Sequence, residues 1–481
     1  MSDISTVKKK DILGMSHRRF YSLLIVGIVL AVWFVPTPIG LKPQAWHLFA
    51  IFLGTIIAFV AQPMSTGAIA LISFVAVVLT NIVSAKEALG YFSNSNTWLI
   101  VSAFIYARGF IKTGLGRRIA FLLTKAFGDK TIKLAYALSL SDLIMAPAVP
   151  SNTARAGSVL FPIVRSLCST FKSEPGETSR KIGAFLIQSV FQCNAVTSAT
   201  FMTAMAANPM VAELASTTLN VKISWGTWLM GAIVPALLSL IVIPLILYAV
   251  YPPELKQTPE ARVMASEELR KMGSPSFAEK VMLVVFILSL VFWSTSQYTG
   301  LDTVIIALAA ICVLLITEVL DWNDVATEKT AWDTFVWASI VLGLAGSLVK
   351  VGFIAWFATG VSTEISGISG FYALAILLVA YMYSHYGFAS LSAHVSAMYA
   401  AFIAVAVTAG VPSLLAALSL GYLSSLCAGL THYSTGPAPL YFGAGYVDQG
   451  TWWKLGFLTS ITHLVIWVGI GSIWWKILGF W

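Results

Sequence analysis

The sequence predicts an all-α integral membrane protein with about eleven transmembrane helices and two re-entrant hairpins, arranged as two inverted repeats. Three observations lead to this fold class. The 481 residues are 58% hydrophobic and only 10% charged, with a mean hydropathy of +0.84, whereas soluble domains carry about 25% charged residues. Apolar runs of spanning length recur along the whole chain. Two apolar stretches are interrupted near the middle by proline, small and polar residues.

Apolar runs long enough to cross a bilayer follow one another along the chain. Many of the 16 tryptophans stand at the edges of these runs, where interface anchors are expected. The net charge of +8 lies mostly in short stretches between the runs, so it sets the membrane orientation and does not indicate nucleic-acid binding. The predicted spans lie at about residues 20–37, 44–63, 66–83, 96–112, 183–204, 226–251, 281–298, 303–320, 334–350, 415–432 and 455–478.

Residues 1–43 are predicted to hold a basic cytoplasmic segment and the first transmembrane helix. This region resembles a signal peptide, but the apolar run from Phe20 to Val35 is long and ends without a small-residue cleavage site. The run is therefore expected to be retained. The four cysteines have neither disulfide nor metal spacing and are expected to be small packing residues. They are Cys168, Cys193, Cys312 and Cys427.

The two interrupted stretches are residues 131–168 and 369–408, and each fits either one broken span or a re-entrant hairpin. Basic residues flank the first stretch on both sides, between Arg117 and Lys133 and between Lys172 and Lys181. Both flanks are therefore predicted to be cytoplasmic. An even number of crossings must lie between them, which a hairpin entering from the cytoplasmic side provides. The second stretch is predicted to be a hairpin on the outer side.

The charge-rich segment 253–280 is predicted to be a cytoplasmic linker between a first repeat, residues 44–252, and a second repeat, residues 281–481. Ala107–Gly114 and Ala345–Gly352 share Ala, Lys and Gly at matching positions. An odd number of predicted crossings separates them, so the two halves are expected to lie upside down relative to each other. Such inverted repeats place the substrate site at the repeat interface. The C-terminus is predicted to be extracytoplasmic.

Polar, helix-breaking clusters within apolar runs are tolerated where they line a cavity. The triplet Ser151–Thr153 follows Pro150, which is suited to start a new helix half whose free N–H groups favour anions. Two further breaks, at 203–210 and 431–439, interrupt the helices that follow the hairpins. Taken singly, the triplet also fits an ordinary helix cap, and each break fits a proline-terminated helix. Their paired positions favour an anion site.

From about residue 44 to its C-terminus, the chain resembles the divalent-anion/sodium symporter family, which is marked by a Ser-Asn-Thr triplet at each of two hairpin tips. Pro150–Gly157, followed by Phe161-Pro162, resembles the branch of bacterial citrate/succinate antiporters and plastid-type 2-oxoglutarate/malate translocators. Other stretches similar to this branch are residues 114–119, 388–394 and 435–437. The resemblance implies a dimerising scaffold domain and a transport domain that moves substrate by an elevator motion.

The resemblance also implies substrate contacts from both halves. The candidates are Ser151, Asn152, Thr153, Ser392, His394 and Thr435, with Asn208 at the matching break of the first half. Two departures stand out. Ser392-Ala393-His394 replaces the second triplet of the sodium-coupled members, and Arg155 stands where those members have a small or hydroxyl residue. We therefore expect Arg155 and His394 to be fixed charges in place of sodium ions.

The predicted function is secondary active, sodium-independent exchange of di- or tricarboxylates across a bacterial-type cell membrane, with sodium-coupled symport as the alternative. A membrane enzyme is disfavoured because a Ser–His pair two residues apart, at 392 and 394, is not a catalytic triad. A channel is disfavoured because paired broken helices favour alternating access. No cofactor, metal or nucleic acid is expected. The expected partners are carboxylate anions, the lipid bilayer and a second copy of the chain.

Further ionisable residues lie near the hairpins. Asp142 stands in the first limb of the first hairpin and is expected to pair with a neighbouring base. His385 and His432 lie close to the second hairpin and the second break, and both are expected to be structural.

Overall fold

The computed structural model describes residues 17–364 and 370–481, and the side chains of residues 17 and 362–364 are not included in the description. Most of the predicted basic N-terminal segment and the first residue of the predicted hairpin 369–408 lie outside these ranges. The helices up to the predicted linker are α1 (His17–Phe34), α2 (Pro43–Ala61), α3 (Thr66–Leu79), α4 (Ala85–Gly90), α5 (Ser95–Thr113), α6 (Leu115–Phe127), α7 (Thr131–Met145), α8 (Phe161–Thr170), α9 (Gly183–Thr200), α10 (Ala207–Leu219) and α11 (Trp225–Val250).

The remaining helices begin with one inside the predicted linker. They are α12 (Pro259–Met272), α13 (Phe277–Thr299), α14 (Thr303–Ile316), α15 (Trp322–Ala326), α16 (Lys329–Lys350), α17 (Phe353–Glu364), α18 (Gly370–Ser384), α19 (Leu391–His394), α20 (Ala400–Thr408), α21 (Ser413–Leu426), α22 (Ala438–Gly443), α23 (Gln449–His463) and α24 (Gly471–Ile477).

Membrane-spanning helices dominate this architecture, and the predicted all-α membrane fold is confirmed. Six helical stretches in the described ranges are long and apolar enough to cross a bilayer, and the pair α5 and α6, bent by 60°, supplies a seventh. Three further apolar helices, among them α3 and α14, are shorter. Tryptophans and aliphatic side chains fill the buried interior, while many large apolar side chains remain exposed, as a lipid-facing surface requires.

The first predicted hairpin is formed by α7 and α8, joined by an irregular tip. Pro147 and Pro150 lie in this tip, and a proline lacks the N–H that a helix interior needs. The Ser151 hydroxyl accepts a hydrogen bond from the Ala154 amide at 3.1 Å, so it caps the returning limb. That limb begins with a π-helix, Thr153–Leu160, before α8 continues it.

The second predicted hairpin has the same order of parts. Helix α18 passes into a 3-10 turn at His385–Gly387, and a short non-helical stretch leads into α19. A π-helix, Val395–Tyr399, then precedes α20. Both hairpins therefore carry a π-helix directly after the polar tip.

Each hairpin is followed by a broken helix. In the first half, α9 ends at Thr200, a 3-10 turn occupies Met202–Ala204, and α10 starts the next segment. In the second half, α21 passes into a 3-10 turn at Cys427–Gly429, and irregular chain leads to α22. Both breaks lie close to the positions predicted from the sequence.

The internal repeat has a structural counterpart in two left-handed glycines. Gly114 (φ 76°) separates α5 from α6, and Gly352 (φ 84°) separates α16 from α17. A positive φ strongly favours glycine, which explains why the sequence match Ala107–Gly114 with Ala345–Gly352 ends on this residue.

The predicted linker is partly helical and is anchored to the first half. Helix α12 packs against α6. Near the end of the linker, Glu279 accepts hydrogen bonds from Arg118 at 2.6 and 3.1 Å. The Arg118 guanidinium also donates to the carbonyl of Gly273 at 2.9 Å. These contacts tie the connection between the two halves to the first turn of α6.

Candidate substrate site

The tip of the first hairpin lies against the break of the second half. Asn152 Nδ2 donates to Thr435 Oγ1 at 2.7 Å. Next to this contact, a Cβ added to Gly436 would come within 2.0 Å of Thr153 Oγ1, so a side chain at that position would collide with the tip. The Tyr441 hydroxyl donates to the Ala156 carbonyl at 2.9 Å. Polar groups from residues nearly 300 positions apart therefore meet, as the prediction of a shared site requires.

The other two elements join the same region. In the second hairpin, His385 Nε2 lies 2.8 Å from the Ser434 carbonyl oxygen, which belongs to the second break. The first break contacts α21 through Asn208 Oδ1, which accepts from Ser425 Oγ at 2.9 Å. Helix α10 also packs against α19. The two hairpins and the two breaks thus converge.

The predicted substrate residues at this convergence of hairpins and breaks offer hydroxyl and amide groups and lie close to helix ends. Asn152 and Thr435 are buried, while Ser151 and Ser392 are partly exposed. The Ser392 carbonyl accepts a hydrogen bond from Ser396 Oγ at 2.7 Å. Uncharged donors beside helix starts favour anions, so these hydroxyl and amide groups suit the binding of carboxylates.

Arg155 is fully buried and forms an ion pair with Asp142, from Nε to Oδ1 at 2.9 Å. The pairing expected for Asp142 is thus present. Asp142 balances the charge of the guanidinium, and the role of Arg155 in place of a sodium ion stays a prediction. Two backbone carbonyls, those of Val149 and Ala204, accept hydrogen bonds from Arg155 Nη1. Ser198 Oγ accepts from Nη2 at 2.9 Å.

His394 is also buried, and its ring lies between aromatic neighbours. Its Nε2 is 2.9 Å from Ser384 Oγ, and the centroids of the His394 and Tyr381 rings are 4.4 Å apart. No ion pair of His394 with a carboxylate occurs in the described ranges. The structure therefore gives no partner that would hold a positive charge on His394, and its charge-compensating role stays a prediction.

Both polar atoms of the Asn208 side-chain amide form hydrogen bonds that stabilise the first break. Its Nδ2 donates to the carbonyls of Ser198 at 2.8 Å and Phe201 at 2.9 Å, and its Oδ1 accepts from Ser425. A substrate contact would have to replace one of these bonds. The predicted substrate role of Asn208 therefore has a structural alternative.

Sequence reasoning missed the polar residues on α9 that support the site. Asn194 Nδ2 donates to Asp142 Oδ2 at 2.8 Å, and Thr197 Oγ1 donates to the same oxygen. Gln192 Nε2 donates to the Gly429 carbonyl at 3.0 Å and so connects α9 to the second break. The available signal was the run of polar side chains within an otherwise apolar span, since such groups persist in a membrane only when they have partners.

Paired hairpins and broken helices that converge within a bundle of apolar spans define the architecture of a secondary membrane transporter. The family model for the "Sodium:sulfate symporter transmembrane region" matches residues 16–481. The chain therefore belongs to this family of membrane transporters, and the resemblance to divalent-anion/sodium symporters is confirmed.

Several characterised or named proteins are similar over nearly the whole chain. A putative malate transporter, YflS of Bacillus subtilis, is 50% identical over 475 residues, covering 98% of this chain and 99% of YflS. Dicarboxylate transporter 1 of Spinacia oleracea chloroplasts is 44% identical, covering 97% of this chain and 82% of that protein. The YdaH transporter of Alcanivorax borkumensis shares the fold, with a TM-score of 0.57 at 11% identity over 96% of this chain and 97% of that chain.

Proposed function

We propose that this protein exchanges small di- or tricarboxylates, among them 2-oxoglutarate, malate, succinate, fumarate and citrate, across a bacterial-type cell membrane. The contact between Asn152 and Thr435 is the observation that carries the proposal, because it joins the polar tip of one half to the polar break of the other. The names of the similar malate and dicarboxylate transporters support the substrate class. In the proposed site, Ser151, Thr153 and Ser392 complete the set of donors to the substrate carboxylates.

The proposed exchange does not require sodium. Carbonyl oxygens are typical ligands of small monovalent cations, and the carbonyls of Val149 and Ala204 already accept hydrogen bonds from Arg155. The guanidinium of Arg155 thus binds the carbonyl oxygens that a sodium ion would otherwise bind, while Asp142 balances its charge. The competing proposal, sodium-coupled symport, is favoured by the family name.

The transport cycle is proposed to be an elevator motion in a homodimer. The hairpins and broken helices would form the moving body, and the remaining spans would form the scaffold. The N-terminus and residues 253–280 would be cytoplasmic, and the C-terminus extracytoplasmic. Cysteine labelling tests this orientation in a protein whose four native cysteines have been replaced: a cysteine at position 172 should be labelled from the cytoplasmic side, and labelling only from outside would contradict the hairpin orientation.

Counterflow in proteoliposomes tests the function. Vesicles loaded with an unlabelled dicarboxylate should take up a labelled one, and empty vesicles should not. The rate should be equal in sodium, potassium and choline buffers. Uptake that strictly requires sodium would replace exchange by symport, and flux that does not saturate would indicate a channel. A panel of counter-substrates identifies the preferred acid.

A further inference from the structure

Three buried side chains meet near the second hairpin tip, and only one of them, His394, is a candidate for the carboxylate site. They are His385, His394 and Cys427, and all three are fully buried. One ligand atom from each lies within 4.8 Å of those of the other two. They come from three elements: the turn after α18, the short helix α19, and the 3-10 turn after α21. Because the three positions are not close in sequence, their spacing gave no sign of a shared site.

The hydrogen bonds of the two histidines fix their tautomers. The Ser434 carbonyl, 2.8 Å from His385 Nε2, can only accept, so Nε2 carries the proton. The Ser384 hydroxyl donates to the Tyr381 carbonyl at 2.9 Å, which leaves its oxygen to accept from His394 Nε2 at 2.9 Å. Each ring therefore presents Nδ1 as a bare acceptor.

Neither Nδ1 atom has a hydrogen-bond partner in the described ranges, although both are buried. Buried acceptors are normally satisfied, and the two rings, whose centroids are 4.9 Å apart, leave both Nδ1 atoms available to a ligand that takes lone pairs. The nearby Cys427 thiol donates to the Ser424 carbonyl at 3.4 Å and can lose this proton to become a third, soft donor.

We propose that His385, His394 and Cys427 bind one divalent transition-metal ion of the zinc class. Imidazole nitrogen and thiolate sulfur are the ligands that such ions prefer. In metal sites, the second ring nitrogen of a ligating histidine is typically held by a carbonyl or another acceptor, and Ser434 and Ser384 provide such acceptors here. Binding displaces the thiol proton to solvent, so the ion is held by two neutral nitrogens and one thiolate.

The geometry requires a modest closure. Zinc bonds of about 2.0–2.3 Å place tetrahedral ligand atoms about 3.3–3.6 Å apart. The three ligand atoms lie within 4.8 Å of one another, so they must approach by at most about 1.5 Å. The turn that joins His385 to His394 can supply this movement, since Gly387 and Ala389 in it are exposed. The same exposed turn offers a route for the ion. The fourth coordination position is left for water.

Occupancy should lock the second hairpin tip to the break after α21. The elevator motion moves these elements together, but if binding or release of the carboxylate requires the hairpin tip to separate from this break, zinc will inhibit the proposed exchange. This consequence rests on the proposed function, whereas metal binding itself does not. A direct binding measurement therefore separates a failure of the metal site from a failure of the transport proposal.

Cobalt(II) is the probe for the binding test, because a thiolate–cobalt bond gives a charge-transfer absorption. The purified full-length protein in detergent should bind one cobalt ion per chain with this absorption, and zinc should displace it. Cys427→Ser should abolish the absorption, and His394→Asn should weaken binding by at least about tenfold, the lower range for disrupted metal sites. Cys193→Ser is the matched control, because Cys193 is equally buried on α9 and should leave the spectrum unchanged.

Two outcomes would overturn the metal site: no cobalt absorption in the wild-type protein, or the same absorption in Cys427→Ser. A water molecule between the two histidines would give the first of these results. His385→Gln provides a second test if Cys427→Ser does not fold, and it should also abolish or weaken binding. In proteoliposomes, zinc should inhibit exchange by the wild-type protein and by Cys193→Ser but not by Cys427→Ser.

Discussion

Replacing Arg155 with alanine should give a protein that sodium stabilises, whereas we expect sodium to leave the stability of the wild-type protein unchanged. The guanidinium fills the space between the first hairpin and the first break, where it contacts the carboxylate of Asp142, two backbone carbonyls and the hydroxyl of Ser198. Without it, these oxygens surround an empty volume with one uncompensated negative charge. Oxygen atoms of this kind are the ligands that small hard cations prefer.

The expected magnitudes follow from the burial of this pair. Arg155 is 0% exposed and Asp142 is 1% exposed, and removing one partner of a buried ion pair costs about 3–5 kcal/mol. A sodium ion that binds only the folded variant, at ten times its dissociation constant, returns about 1.4 kcal/mol. Sodium should therefore recover part of the lost stability of Arg155→Ala.

Thermal unfolding followed by tryptophan fluorescence measures this effect on purified protein. The melting temperature of Arg155→Ala should be below that of the wild-type protein in potassium and choline, and it should rise in sodium. The wild-type protein should melt alike in all three. Arg165→Ala is the matched control, because Arg165 lies on the same hairpin with its side chain 40% exposed and 4.0 Å from Glu174. If sodium does not raise the melting temperature of Arg155→Ala, or raises those of Arg155→Ala and Arg165→Ala equally, Arg155 does not occupy a cation position.

Three further predictions follow. Asn152→Leu should abolish exchange in proteoliposomes while the melting temperature changes little; unchanged exchange would exclude Asn152 from the site. Asn208→Ala loses three hydrogen bonds, each worth about 1 kcal/mol, so it should lower the melting temperature; a raised KM at unchanged stability would instead favour a substrate contact. Burial raises the pKa of Asp324, but the hydrogen bonds from Lys112 and the Asp321 amide, together with the charges of Lys112 and Arg108, outweigh this and hold the pKa below its usual value. The pair should therefore stabilise the fold above about pH 4 and lose this effect on acidification, whereas Asp324→Asn should flatten this part of a melting-temperature profile.

Local sequence signals predicted the elements of this fold well. Prolines and polar triplets in apolar runs have strong local effects on the backbone, so the first hairpin tip and both breaks could be predicted from them. The Asn152–Thr435 contact was anticipated only through the repeat and the family resemblance. Apolar length alone was less informative, because several predicted spans are short or bent helices whose ends are set by tertiary packing.

The electrostatic arrangement could not be predicted in the same way. Arg155 and Asp142 face each other across the two limbs of one hairpin, and only the path of the tip determines whether they meet. Similarly, His385 and Cys427 approach each other because the second break contacts the second hairpin, as it does through Ser434 and His385. Single-sequence patterns report which residues are costly to bury, but the identity of their partners depends on the tertiary fold.

The π-helices after the two tips, Thr153–Leu160 and Val395–Tyr399, have a consequence for the orientation of the tips. A π-helix, whose hydrogen bonds run from residue i to residue i+5, holds one residue more than an α-helix of the same span. Removing that residue would rotate the preceding tip by about 100°, the angle per residue of an α-helix, and would turn its polar groups away from the opposite half. The π-helix after each tip therefore helps to set the direction in which the polar groups of that tip point.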